Sequence, residues 1–407
     1  MAATPRLAFV IPRLLCGGVE TFLLRLCPHL RERGHEVEIV TAEERGEWFD
    51  HVAERVPTVH IAGGERGSGW RHPLRVGRFL RDRGYHVVLP NAERFTQMSL
   101  GMLPDHVVAI PICHSDWWTS YRISLASPQA WNVLVGVGPR ICAVARERRP
   151  NRPIVQIMPG VELPAPPAWA ARRPLAGDEL RVIFVGRVVQ GVKNVLLLPE
   201  AIGRCRAAGI DARLTVAGTG PDLEPLRAKA RELGVEEAVE FAGQVPLERV
   251  YDLLLDHHAL LLPSVYEGLP LTLLEAQACG CVPVASWLPG VTDAAVDAGR
   301  TGCLIRVGDA EGFAQALIRL CREPGTWTAM SAAGHARAEE EFSVARMADA
   351  YTKLIHDALA GRYPLPRSRR RGLPLDLSLY WRECVPSWAR TGARRILRRP
   401  VERWPPS

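Results

Sequence analysis

The strongest constraint on the fold is a series of short apolar segments separated by helical stretches, which stops at a Pro- and Ala-rich stretch and then starts again. In the first half the apolar segments are residues 6–11, Glu36 to Thr41, Thr58 to Ile61, His86 to Leu89, Val107 to Cys113, Val133 to Val137 and Ile154 to Ile157. In the second half they are Leu180 to Gly186, Arg213 to Gly218, Val239 to Gly243, His258 to Pro263 and Val282 to Ser286. Strands alternating with helices imply parallel sheets covered on both faces. The break, Leu163 to Gly177, carries Pro164, Pro166, Pro167 and Pro174 and reads as an interdomain linker. The expected fold is therefore α/β, with two doubly wound Rossmann-like domains, residues 1–165 and 178–343, joined by a linker at 166–177. Ligands of such sheets bind at the carboxyl ends of the strands, so the cleft between the domains is the expected site.

The richest stretch runs from Ser264 to Pro283, a loop and a helix between two strands. Gly268 and Pro270 shape the loop, and the helix is expected to begin near Thr272, where backbone N–H groups without intrahelical partners form an anion site. Glu267 and Glu275 flank it with seven residues between them. Carboxylates beside a phosphate would be repelled, so their fitting partners are sugar and ribose hydroxyls. Thr272-x-x-Glu275 is also a capping box, in which Glu275 would only reach back to the cap N–H.

Arg187 and Lys193 follow the first strand of the second half and fall at the same sheet edge, where two cations could hold a diphosphate; singly, each reads as a solvated surface charge. Gly17 and Gly18 end the first strand of the chain and lead into an amphipathic run, Thr21 to Arg33. That turn either lets backbone approach a phosphate or sugar closely or is a plain tight turn.

No apolar run approaches the roughly 18 residues of a spanning helix, and the N-terminal apolar segment is short and followed by Arg13, so a cytoplasmic protein is expected. Ten cysteines are scattered through apolar segments without zinc spacing, and Cys279-Gly-Cys281 reads as packing. A P-loop, a dinucleotide fingerprint and a Gly-x-Ser-x-Gly elbow are all missing. There is no Asp-x-Asp, so neither a metal nor any other cofactor is expected. The net charge of +7 is concentrated at one end: from Gly361 onward there are 12 Arg against 3 acidic residues, +9, which leaves the remainder at −2. A basic tail on a near-neutral body suggests an anionic partner for the tail alone.

Taken together, these blocks resemble the retaining glycosyltransferases of family four, with the GT-B architecture of two facing Rossmann-like domains. The resemblance covers roughly Leu7 to Leu359. Its strongest block is Tyr266-Glu-Gly-Leu-Pro-Leu-Thr-Leu-Leu-Glu275 and the residues that follow it, to Ser286. Phe184-Val-Gly-Arg187 with Lys193, Val216 to Leu223, and Gly17-Gly-Val-Glu20 are further blocks. The resemblance implies that Glu275 binds the ribose of a UDP- or GDP-linked sugar and Glu267 a hydroxyl of the transferred sugar. Arg187 and Lys193 would hold the diphosphate beside Gly186, aided by backbone N–H groups of Gly268, Leu269, the Pro270 turn, Leu271 and Thr272 and of Gly17 and Gly18. The base would lie near Gln244 and Val245. His114 is similar to the histidine that follows a strand of the first domain and faces the reacting sugar; without the resemblance it is an ordinary loop residue.

The family's reaction is thought to be front-face attack with retention, and fixed cations aimed at the leaving diphosphate would be its main lever. The acceptor would be a glycan or lipid-linked sugar of a cell-surface precursor, and Trp117 and Trp118 are either an apolar patch facing it or buried aromatics. A GT-B epimerase, a glycogen-type synthase or a non-catalytic sugar-nucleotide-binding module are the alternatives. Two features depart from the family: Met158-Pro-Gly-Val-Glu162 replaces its Asn and Gly-Val-Asp, and residues 361–407 follow the helix at 344–360 that in the family crosses back to the first domain. Arg, Trp and Leu interleaved over 362–407 suit an anionic membrane surface, with a loosely ordered or self-packing extension as the equal reading and nucleic acid a poorer one.

Overall fold

The computed structural model describes residues 4–63, 71–175, 177–366 and 369. Its first half carries strands β1 (Arg6–Ile11), β2 (Glu36–Thr41), β3 (Thr58–His60), β4 (Val87–Pro90), β5 (Val108–Ala109), β6 (Ile112–Cys113), β7 (Leu134–Gly136) and β8 (Ile154–Gln156). They form a sheet of order β3-β2-β1-β4-β5 and a shorter one, β6-β7-β8, tied together by a bridge between Asn91 and Ile112. The expected single strand from Val107 to Cys113 is thus two pieces. Pro111 between them has no N–H to give a ladder, and β6 pairs onward with β7 instead of β4's full length.

The second half carries β9 (Glu179–Val185), β10 (Asp211–Ala217), β11 (Val239–Gly243), β12 (Ala259–Leu262), β13 (Val282–Ser286) and β14 (Cys303–Ile305), in the order β11-β10-β9-β12-β13-β14. Named pairings are parallel in both halves. Both faces of such sheets are covered, which explains why β1 and β12 read as unbroken apolar runs; Leu7 to Ile11 and Ala259 to Leu262 are buried. Sequence order reverses between β1 and β4 and between β9 and β12. Those are the points at which loops part to opposite faces and leave a crevice.

The helix Gly18–Glu32 starts three residues earlier than its apolar pattern suggests. Gly17 caps it in extended conformation, Glu20 Oε1 accepts from the Leu15 N–H at 3.0 Å, and Thr21 Oγ1 donates to Gly17 O at 3.0 Å. Phe22, Leu23, Leu26 and Leu30 bury its core face.

Helix Val344–Leu359 packs on this first helix: Arg33 Nε donates to Asp349 at 2.8 Å and the rings of Phe22 and Tyr351 meet edge-on at 5.9 Å. The chain therefore ends its second half against the first domain. The way back is fixed at Gly160, where a side chain would lie 2.6 Å from Val344 Cα, and at Val161, whose N–H donates to Phe342 O at 2.7 Å while its carbonyl accepts from the Val344 N–H at 3.1 Å.

The Pro-rich stretch is a packed strap. It holds a short helix, Pro166–Ala170, and the Arg172 guanidinium lies 3.4 Å from the Trp169 ring centroid, while Arg173 Nε donates to Asp256 at 2.7 Å. Stacking and ion pairing give this segment the contacts that its composition does not announce.

Of the basic tail, Arg369 is described and is buried, not offered to a surface. Its guanidinium donates to the carbonyls of Pro104, Val107 and Ala130 at 2.7–3.0 Å, and burial lowers its pKa to about 10. Of residues 362–407, on which the membrane expectation rests, 367, 368 and 370–407 lie outside the described residues. Among the described residues no helix is long and apolar enough to cross a membrane.

Candidate active site between two opposed sheet edges

The loops after β9 and β12 lie side by side at the switch point of the second sheet. Gly186 closes β9 with φ of +149°, and the neighbouring Gly218 has φ of +152°, with any side chain on it overlapping the Gly186 carbonyl. Gly218 and Gly220, which supply no dinucleotide fingerprint, thus let the loop after β10 pack on the loop after β9. A one-turn helix, Gln190–Lys193, follows, and the Val192 carbonyl accepts from the Val265 N–H at 2.9 Å, locking it to the loop after β12.

This lock brings Lys193 and Glu267 together. Lys193 Nζ is 2.5 Å from Glu267 Oε1, and Ser264 Oγ donates to the same oxygen at 2.6 Å. The two residues expected to serve a diphosphate and a sugar hydroxyl separately are partners of each other. The ammonium has two further N–H groups and the carboxylate a second oxygen, so pairing leaves each able to serve. Arg187 is exposed at the same edge and makes no ion pair or hydrogen bond among the described residues.

Helix Leu271–Ala278 begins one residue before the expected start, with Pro270 as its cap and no side chain bonded to its first N–H groups. The capping-box reading fails. Thr272 Oγ1 is buried without a partner, and Glu275 points away from the cap to the other domain, where Arg25 Nη2 donates to its Oε1 at 2.6 Å. Both side chains of this ion pair are at most 5% exposed, with the ring of Tyr251 5.7 Å from the guanidinium. Burial alone would lower the Arg25 pKa, but the Glu275 charge carries it upward.

The first domain meets this edge at four points. A side chain on Gly18 would reach 3.9 Å from Leu271 Cδ1, so the Gly17-Gly18 turn faces the uncapped helix start. Gly268 packs so closely on the His114 carbonyl that a Cβ there would overlap it. Ser115 Oγ lies 3.5 Å from Tyr266 Oη, with Trp117 edge-on to the Tyr266 ring at 5.2 Å. Gln244, exposed after β11, lies beside the thiol of Cys16, and Val245 next to it is half-buried.

His114 is placed by Asn91, a residue at the end of β4 that sequence reasoning passed over. Asn91 Nδ2 donates to Leu89 O at 2.9 Å, which turns its Oδ1 toward His114 Nε2 at 2.8 Å. The imidazole therefore carries its proton on Nε2 and leaves Nδ1 as an acceptor. Burial lowers its pKa to about 3, so it is neutral at physiological pH. Trp117 and Trp118 are exposed, by 57% and 39%, which removes the buried-aromatic reading.

Arg25 was missed as well. Its signal was present, a lone arginine inside the apolar run Leu23-Leu-Arg-Leu-Cys27, but its partner lies 250 positions away. Ser264 escaped notice as one of many loop hydroxyls.

Two doubly wound domains whose sheet edges face each other across such a cleft define the GT-B class of glycosyltransferase. Residues 179–323 match the family described as glycosyl transferases group 1, and residues 16–164 that described as glycosyltransferase family 4. The D-inositol 3-phosphate glycosyltransferase of Kribbella flavida is 34% identical over 367 residues, which cover 78% of this chain and 85% of that protein. The chain belongs to glycosyltransferase family four. Glycogen synthase of Mycobacterium tuberculosis is 31% identical over 202 residues, covering 49% of this chain and 48% of that protein. Among solved structures, Anabaena HepE in complex with UDP-glucose has a TM-score of 0.69 at 16% identity, with 88% of this chain and 99% of that one covered. WaaG, a glycosyltransferase involved in lipopolysaccharide biosynthesis, has a TM-score of 0.67 at 16% identity, covering 86% and 99%.

Proposed function

We propose that this glycosyltransferase moves a sugar, with retention and without a metal, from a UDP- or GDP-linked donor to a glycan or lipid-linked acceptor of a cell-surface precursor. The observation that carries the reading is the opposition of the Gly17-Gly18 turn to the uncapped start of helix Leu271–Ala278, with Lys193 and Glu267 paired beside it. A diphosphate seated there would meet backbone N–H groups from both domains. Arg187 and Lys193 would neutralise the charge that grows on the leaving oxygen, the part of the barrier at which fixed donors act most strongly.

Glu275 takes the ribose and Glu267 a hydroxyl of the transferred sugar. His114, neutral and fixed by Asn91, offers an uncharged acceptor at Nδ1 to the sugar's far side and carries no proton for transfer to the leaving group. The exposed Trp117, against Tyr266, gives the acceptor an apolar face at the cleft mouth. Binding of UDP-glucose by HepE supports a nucleotide-sugar donor here.

Thermal unfolding with UDP, GDP and their sugars, in EDTA, tests the donor half. A ligand at about 100 times its dissociation constant adds roughly 2.7 kcal/mol. One nucleotide class is expected to raise the melting temperature of the wild type and not of Glu275→Ala. A null result with every nucleotide removes the reading.

A further inference from the structure

The ion pair between Arg25 and Glu275 is an odd device if its purpose is to join two domains. Arg25 is 4% exposed, and its Nε and Nη1 are buried with no hydrogen-bond partner, while Nη2 makes the one bond to Glu275 Oε1. A buried guanidinium with two nitrogens, three N–H bonds, unsatisfied costs more than an apolar side chain of the same size would. Stability alone therefore does not account for an arginine here.

What the pair does to Glu275 is more specific. Glutamate has three rotatable bonds, and a solvated one divides its time among many rotamers. Arg25 holds Oε1 and so fixes the carboxylate. Oε2 accepts no hydrogen bond among the described residues. A fixed carboxylate oxygen with its lone pairs unused is an acceptor already oriented for a hydroxyl.

The two residues stand on different domains, Arg25 on the helix Gly18–Glu32 and Glu275 on the helix Leu271–Ala278. Their contact exists only while the cleft is closed. Resting on the ribose role proposed for Glu275, we infer that Arg25 is a positioning residue for donor recognition: it sets Glu275 Oε2 for the ribose hydroxyls, and does so only in the closed arrangement. Ribose selectivity then belongs to the closed form, because an open cleft leaves Glu275 a hydrated carboxylate for which water competes on equal terms.

The test compares dissociation constants of UDP and GDP with those of their 2′,3′-dideoxy counterparts, in wild type, Arg25→Gln, Arg25→Lys, Glu275→Gln and the double Gln variant. The wild type is expected to prefer the ribose form by about tenfold or more, the size of one hydrogen bond to a charged acceptor. Both Arg25→Gln and Glu275→Gln should lose most of that preference, and the double variant should lose no more than either. Arg25→Lys, which keeps the charge without the planar fork, should fall between.

If Arg25→Gln binds both forms more weakly by the same factor, so that the ratio stands, Arg25 is only structural and the inference is overturned. Should Arg25→Gln fail to fold, the ratio in Arg25→Lys decides: a partial loss supports the inference and a wild-type ratio overturns it. Failure of the wild type to bind either nucleotide, or an unchanged ratio in Glu275→Gln, strikes the underlying donor reading instead.

Discussion

Lys193 Nζ lies 2.5 Å from Glu267 Oε1, and the two side chains are 17% and 10% exposed, so the cation and the acid of the cleft compensate each other before any donor arrives. Removing one strands the other. Lys193→Ala is expected to lower turnover by about 2–4 kcal/mol of transition-state stabilisation and also to lower the melting temperature, because Glu267 is left partly buried without its cation. Adding Glu267→Ala should restore part of the thermal stability and none of the turnover. Steady-state kinetics and calorimetry on the three variants separate the two effects; recovery of activity in the double variant would show that the pair is structural.

Arg187 supplies the contrasting case. It is exposed and makes no ion pair or hydrogen bond among the described residues, so Arg187→Ala should shift stability by no more than about 0.5 kcal/mol while turnover falls by about 2–4 kcal/mol. An unaltered kcat would take Arg187 out of the mechanism.

Gly268 is a residue at which the two domains pack backbone against backbone. A methyl group on it would overlap the His114 carbonyl and lie 3.0 Å from Ser115 Cα, both backbone atoms of the other domain. Gly268→Ala should fold normally, since the cleft can part slightly, yet kcat/KM should drop by about 100-fold as the donor-holding loops are moved out of register. Wild-type kinetics would mean that catalysis does not require this contact.

Acid stability reports on two desolvated histidines, the half-buried His114 and the buried His257. Burial holds His114 at a pKa of about 3 and His257 at about 4, both below the ordinary value, so the unfolded chain binds more protons than the folded one below pH 6.5. Stability is therefore whole above that pH and is lost as pH falls, by up to about 2 kcal/mol for His114 between pH 6.5 and pH 5. Glu93, raised to about 7 by its burial, slopes the other way, losing stability as pH rises through 7. The measurement is the difference in unfolding free energy between wild type and His114→Gln: the wild type should lose more on acidification. Parallel curves would show that His114 is protonated in the folded protein as readily as in the unfolded one.

The alternation of strands and helices was legible because a parallel sheet covered on both faces needs unbroken apolar strands, and β1 beyond Arg6 and β12 are of that kind. Lys193, Glu267 and the helix start at Leu271 could be placed at one sheet edge because strand ends fix where loops emerge. What could not be read was which of these groups face each other. The bond of Glu275 to Arg25 spans two domains, and that of His114 to Asn91 joins two strand ends, so neither has a local pattern. The same holds for Thr272-x-x-Glu275, where a local motif competes with a distant cation and the buried ion pair wins. The contacts that hold the Pro-rich linker could not be read either, because a cation stacked on Trp169 leaves no periodic trace.

The chain passes between the domains twice, and the two crossings are bonded to each other: Val161 donates to Phe342 and accepts from Val344. Two strings tied at one spot act as the knuckle of a gate. Sliding or twisting of one half past the other would break both of these bonds, whereas turning about this edge would spare them, so the rim opposite Val161 is the side that relative motion of the halves would displace most.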